Sequence, residues 1–63
     1  MEQTYRITIF TTSCVIERDY YKRATAISAI KEFKEKFNDF MIGILSKKVK
    51  GEWNPVYSIS NNS

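Results

Sequence analysis

One segment of the chain, residues 25–37, spaces its apolar side chains as an amphipathic helix does. Residues three and four positions apart share one side of a helix, so these side chains form one stripe opposite a charged side. No other stretch of similar length has this period, and the sequence therefore predicts a single helix that covers one face of a sheet. The stripe consists of Ala26, Ile27, Ala29, Ile30, Phe33 and Phe37.

Both ends of this helix have candidate capping residues. The Thr25 hydroxyl is placed to accept a hydrogen bond from the Ser28 N–H, which predicts Thr25 as the N-cap. Asn38 tolerates a left-handed backbone, which predicts that it ends the helix.

The rest of the chain predicts four strands. Residues 4–11 alternate strictly and are rich in β-branched and aromatic side chains, which makes them the clearest strand. Residues 14–21 form the second, with two possible registers because Val15 and Ile16 are adjacent. Residues 40–49 and 52–59 form the last two.

The connections between the strands carry turn residues. Residues 11–13 are polar and separate the first two strands, and Lys50 with Gly51 separates the last two. Pro55 cannot donate a hydrogen bond to a neighbouring strand, so the last strand is expected at an edge or at a bulge. Residues 60–63 are expected to be a frayed tail.

The order strand, strand, helix, strand, strand defines an α+β fold in one domain, residues 1–63. The helix returns the chain along the second strand, so the third strand runs antiparallel to the first. We expect a single four-stranded, mostly antiparallel sheet (ββαββ) in the order 2-1-3-4, with the helix packed on one face.

Composition removes several functions from consideration. Cys14 is the only cysteine and histidine is absent, so an intrachain disulfide and a zinc site are not expected. The only glycines are Gly43 and Gly51, too few for a phosphate-binding loop. We therefore expect no catalytic residues, no cofactor and no metal. A chain of 63 residues is near the lower limit for independent stability, which favours a homo-oligomer, with a dimer expected.

No apolar run is long enough to span a membrane and no basic-then-apolar leader is present, which predicts a cytoplasmic protein without membrane contact. The net charge of +3 slightly favours an acidic partner.

The sheet face away from the helix is the first candidate binding surface. If Ile42 and Ile44 face the helix, large apolar side chains remain on the uncovered face, which suits a protein partner or self-association. The predicted partner-binding residues are Phe10, Met41, Leu45, Trp53 and Tyr57.

The second candidate surface is one end of the sheet, where basic residues are expected to gather near Trp53, Tyr20 and Tyr21. Cations beside flat aromatic rings suit phosphate contact and base stacking, so a small nucleic-acid-binding regulator is the alternative function. The residues concerned are Arg18, Lys22, Arg23, Lys47, Lys48 and Lys50.

No motif in the chain matches a family. In its size and its content of Lys, Ile, Tyr and Asn, the chain is similar to the small accessory proteins of phages and other mobile elements. This resemblance implies a non-enzymatic protein-interaction module that inhibits or regulates a host or defence protein by binding it.

Overall fold

The secondary structure follows the predicted order ββαββ. The structure is a computed structural model, and it describes residues 4–61. The elements are β1 (Tyr5–Thr11), β2 (Val15–Tyr20), α1 (Arg23–Lys36), β3 (Phe40–Val49) and β4 (Glu52–Ser60).

The strands form one four-stranded sheet in the order β2-β1-β3-β4, which confirms the predicted sheet. Every neighbouring pair is antiparallel. β1, the most regular strand in the sequence, is central, and β2 and β4 are the edges. In the register of the central pair, Ile7 lies opposite Leu45 and Ile9 opposite Gly43.

The core lies between α1 and the strands β1, β2 and β3, against which the helix packs. Ala26 and Ile30 of the helical stripe are wholly buried, and Ile27 and Phe33 pack around them. The predicted stripe is therefore confirmed. The buried apolar side chains are Ile7, Ile9, Ala26, Ile30, Phe40 and Leu45.

The expected orientation of β3 is wrong. Leu45 and Gly43 face the helix, whereas Ile42 and Ile44 lie opposite Phe10 and Thr8 on the other face. The helix approaches so closely that a Cβ atom on Gly43 would lie 2.6 Å from Ile30 Cγ2. Residues 40–45 are apolar on both sides of the strand, so alternation alone cannot choose between them.

Both predicted helix caps are also wrong. The helix begins at Arg23, and Lys22 occupies the N-cap position without a side-chain hydrogen bond. Arg23 and Ala24 favour helix, so the first turn forms before Thr25. At the other end the chain leaves the helix at Phe37, which is extended (φ −106°) and whose ring lies 5.5 Å from that of Phe33. Among residues 4–61 only Lys50 and Gly51 have positive φ, so Asn38 is not left-handed.

The turn between β1 and β2 is stabilised by a side chain in place of glycine or asparagine. The Thr11 hydroxyl accepts hydrogen bonds from the backbone N–H groups of Cys14 (2.9 Å) and Ser13 (3.3 Å). The carboxylate of Asp39 accepts from the hydroxyls of Ser13 (2.7 Å) and Thr12 (3.1 Å), which ties this turn to the connection between α1 and β3.

The position of β4 agrees with the expectation that Pro55 places the last strand at an edge or at a bulge. It is an edge strand, and its register shifts where Leu45 and Ser46 lie opposite Tyr57 and Pro55. β4 also extends further than expected, because Ser60 is still in the strand and the Asn61 N–H donates to the Met41 carbonyl at 3.0 Å. Of the tail expected to fray, residues 62–63 lie outside the described part.

Candidate interaction surface

The sheet face opposite the helix, here named the open face, has no second layer above it in the described part of the chain. Its members follow from the register, because side chains directly opposite each other on neighbouring strands share a face. By this rule the open face comprises Val15, Glu17 and Asp19 of β2, Arg6, Thr8 and Phe10 of β1, Ile42, Ile44, Ser46 and Lys48 of β3, and Trp53, Pro55, Ser58 and Ser60 of β4.

The centre of the open face is apolar. Phe10 lies opposite Ile42 on one side and opposite Val15 on the other, and Ile44 is the next open-face residue along β3. Phe10, Ile42 and Ile44 are half-buried by one another and by the sheet, and Val15 is 58% exposed. These residues, named the apolar patch, leave hydrocarbon in contact with water, a feature typical of surfaces that bind other proteins.

A polar and aromatic cluster lies beside this patch, at the end of the sheet where β1 starts. The Arg6 guanidinium donates two hydrogen bonds to Asp19, from Nε to Oδ1 at 2.7 Å and from Nη2 to Oδ2 at 3.1 Å. The same guanidinium stacks over the Trp53 ring, with Cζ 4.4 Å from the ring centroid. Lys48 Nζ lies 5.9 Å from that centroid. These residues are named the Arg6 cluster.

The Arg6 cluster is arranged by the register of three strand pairs. Arg6 lies opposite Asp19 on β2 and opposite Ser46 on β3, and Lys48 of β3 lies opposite Trp53 of β4. The two-point pairing with Asp19 fixes the plane of the guanidinium, which in turn orients the indole. The cluster is therefore assembled by contacts within this chain alone.

The charges of this cluster support each other. The hydrogen bond from Arg6 holds the pKa of Asp19 below its usual value, opposed in part by desolvation, with further lowering by the charges of Arg6 and Lys48. The hydrogen bond to Asp19 raises the pKa of Arg6 above its usual value. Both groups are charged at neutral pH, so the open face presents a fixed ion pair.

The structure separates the predicted partner-binding residues. Phe10 and Trp53 are half-buried on the open face, and Met41 is 52% exposed. Leu45 is wholly buried under the helix, so its expected place on the uncovered face is wrong. Tyr57 lies opposite Leu45, on the helix side of the sheet, and is 36% exposed.

The basic residues do come to the same end of the sheet, but not to one face. Tyr5 lies opposite both Tyr20 and Lys47, so the start of β1 meets the ends of β2 and β3. Arg18 and Lys47 are on the helix side by register, whereas Lys48 is on the open face. Lys22 and Arg23 are at the start of α1, and Lys50 is in the turn before β4.

Arg6, Asp19, Ile42 and Ile44 belong to the site but were not among the predicted site residues. The predicted sheet did bring Arg6 and Asp19 to the end where Lys48 and Trp53 lie, without predicting their ion pair. A signal for the ion pair was present, because the predicted hairpin brings the start of β1 opposite the end of β2, where these opposite charges lie. The apolar pair had no such signal, because its face depends on which side of β3 meets the helix.

Within residues 4–61, no group of three or more His, Cys, Asp or Glu side chains is placed to hold a metal ion. No helix in that part is long and apolar enough to cross a membrane. Comparison with protein-family models, with curated proteins and with solved structures finds no match for this chain.

Proposed function

We propose that this chain is a non-enzymatic protein-interaction module that binds a folded partner protein through the open face. The observation that carries the proposal is the Arg6 cluster, which lies beside the apolar patch. Trp and Arg, together with Tyr, are enriched among the residues that dominate the free energy of binding at protein interfaces. Here the two are stacked on each other and held by Asp19.

The apolar patch supplies the other part of such an interface. Phe10 lies opposite Ile42 on the open face, and a shallow depression lined by Ile42 and Ile44 reaches Pro55 and Val56 of β4. Burying apolar surface of this kind provides free energy of association, and the charged residues around it provide specificity and register.

The charges of the open face favour a protein over a nucleic acid at this surface. Arg6 and Lys48 are balanced by Glu17 and Asp19 on the same face. Arg6 is already paired, and its guanidinium covers one side of the indole on which a base would stack. A surface for a phosphate backbone needs uncompensated cations. We infer a partner with an apolar centre and an acidic group that faces Lys48.

The alternative, a small nucleic-acid-binding regulator, is supported by the cations outside the open face. The register brings Arg18 and Lys47 to the end of the sheet where Lys22 and Arg23 begin the helix. If these residues bind phosphates, affinity for a mixed DNA and RNA pool falls steeply as salt rises. Replacing Lys47 and Lys50 by Glu then weakens binding, and absence of binding at low salt removes the alternative.

The test of the main proposal immobilises wild type, Phe10→Asp and Val49→Asp, and compares the proteins that each retains from a cell extract. Phe10→Asp places a charge in the apolar patch, and Val49→Asp places the same charge at another exposed position, 44% exposed on the other side of β3. A partner of the open face is retained by wild type and by Val49→Asp but not by Phe10→Asp. The same partner, once purified, is then expected to bind wild type.

The proposal is rejected if the three variants retain the same proteins, or if the only ligand recovered is nucleic acid. Thermal unfolding of each variant checks that Phe10→Asp remains folded. The role of an inhibitor or regulator from a phage or mobile element, and the cytoplasmic location, stay predictions from sequence.

A further inference from the structure

β4 offers a second interaction surface that is independent of the open face. Within residues 4–61 it pairs with β3 on one side only, and α1 packs mainly on the other three strands. An open groove of about 550 Å³ therefore runs between the helix and β4. It is lined by Lys31, Lys34, Glu35, Tyr57, Ser58 and Ile59.

The direction of the backbone groups defines which part of β4 can pair with another strand. The Asn61 N–H donates to Met41 of β3, and alternate residues of a strand direct their N–H and C=O groups to opposite sides. Tyr57 and Ile59 therefore bond towards β3, whereas the N–H and C=O of Ser58 point away from the sheet.

Pro55 limits this edge at its N-terminal half. Proline has no N–H to donate, and the register shift at Pro55 bends the strand. Val56 is the extra residue at this shift, so a strand that adds to β4 can pair regularly only with residues 57–60. In this segment Tyr57 and Ile59 project to the helix side, where the groove lies.

We propose that a second copy of this chain adds antiparallel to β4 at this edge, with the two-fold axis at Ser58. This register places Tyr57 of each copy opposite Ile59 of the other, so an aromatic and an aliphatic side chain pair twice above the joined sheet. The Ser58 backbone groups of the two copies exchange hydrogen bonds at the axis. Moving the axis to Tyr57 would bring Pro55 into the pairing.

The groove offers a second copy side chains of both signs, with Lys31 and Lys34 beside Glu35. Lys31 and Glu35 of one helix carry opposite signs, and a two-fold axis brings the same pair in reverse order to the facing helix. The two grooves merge into one space between the helices. Dimerisation would also add stability to a 63-residue sequence whose only cysteine is Cys14, since a single cysteine cannot form an intrachain disulfide.

The first test is disulfide trapping in a Cys14→Ser background, which removes the exposed natural thiol. Ser58→Cys places two thiols at the proposed axis, where the roughly 5.5 Å between opposed Cα atoms of a hydrogen-bonded pair suits a disulfide. Lys50→Cys, in the exposed turn before β4, is the matched control. We expect Ser58→Cys to form the cross-linked dimer at least about tenfold faster than Lys50→Cys. Equal rates overturn the proposal.

The second test removes the hydrogen bond at the axis. Ser58→Pro deletes an N–H that points away from the sheet, so β4 keeps its bonds to β3, and Ser58→Ala keeps the N–H. By light scattering, wild type and Ser58→Ala should have twice the 7.4 kDa chain mass and Ser58→Pro the mass of one chain. Circular dichroism checks the fold of each variant.

A wild-type protein of single-chain mass, or a dimer that survives Ser58→Pro, contradicts the assignment. Phe10→Asp should leave the dimer intact, because Phe10 is on the open face. A dimer lost through Phe10→Asp but kept in Ser58→Pro would assign self-association to the open face. The outcome of the β4 tests therefore does not depend on whether the open face binds a partner protein.

Discussion

Gly43 marks a position where the helix approaches the sheet closely. A Cβ atom there would lie 2.6 Å from Ile30 Cγ2 and 3.0 Å from Ile9 Cδ1, both in the buried core. Neither methyl group can move without disturbing its neighbours. We expect Gly43→Ala to lower the free energy of unfolding by about 1–3 kcal/mol, measured by urea denaturation.

A double variant separates this crowding from a general loss of strand stability. Ile30→Ala alone should be destabilising because it leaves a cavity. In the presence of Gly43→Ala, however, it also removes the clashing methyl group, so the combined loss should be smaller than the sum. A neutral Gly43→Ala, or strictly additive losses, would contradict the close approach.

Asp39 gives the stability of the fold a dependence on pH. Its hydrogen bond from Ser13, helped by Thr12 and opposed in part by desolvation, holds the pKa of Asp39 below its usual value. A carboxyl group whose pKa is lowered by folding stabilises the protein above its unfolded pKa, and this stabilisation disappears as pH falls through the folded value. Thermal unfolding temperature should therefore fall between about pH 5 and pH 2, with Asp19 contributing in the same direction.

Asp39→Asn tests the contribution of this one carboxyl group. The variant cannot lose a charge at residue 39, so its unfolding temperature should decrease less over the same pH range. At neutral pH it should unfold at a lower temperature than wild type, because an amide accepts these hydrogen bonds less strongly. Parallel pH curves for the two proteins would show that Asp39 does not contribute in this way.

At the scale of elements, the sequence was sufficient where one physical signal acted alone. The helix followed from its apolar period, and the last hairpin from Gly51 and Pro55. The face of β3 did not, because both sides of residues 40–45 are apolar and the decision depends on the close packing of Ile30 on Gly43. The first residue of α1 was missed because its N-terminus uses no side-chain cap.

A substitution in the turn between β3 and β4 is expected to raise the free energy of unfolding. Lys50 and Gly51 both have positive φ, 51° and 83°, as in the two-residue turns that match the twist of a hairpin. Lysine is strained in this region, whereas asparagine tolerates it. Lys50→Asn should raise the free energy of unfolding by up to about 1 kcal/mol in urea denaturation. Gly51→Ala should lower it, and the opposite order would contradict the turn type.

At the scale of the whole molecule, one helix on a four-stranded sheet leaves one sheet face uncovered within residues 4–61, and the edge strands β2 and β4 each have one unpaired side there. The sequence predicted that a face would remain open, and the strand order placed the basic residues at one end. The predicted strand order brought the residues of the Arg6 cluster to one end of the sheet. It did not give their ion pair and stacking, which need the register of all three strand pairs. Local patterns do not contain this information.

The most direct test of the open face is a calorimetric titration of the purified captured partner into wild type, Trp53→Ala and Val49→Asp. Trp53 is the aromatic centre of the Arg6 cluster, so its removal should weaken binding by about 30-fold or more, the loss typical of a residue that dominates an interface. Val49→Asp should bind within about twofold of wild type, as substitutions outside an interface do. If Trp53→Ala also binds within about twofold of wild type, the open face is not the surface that recognises the partner.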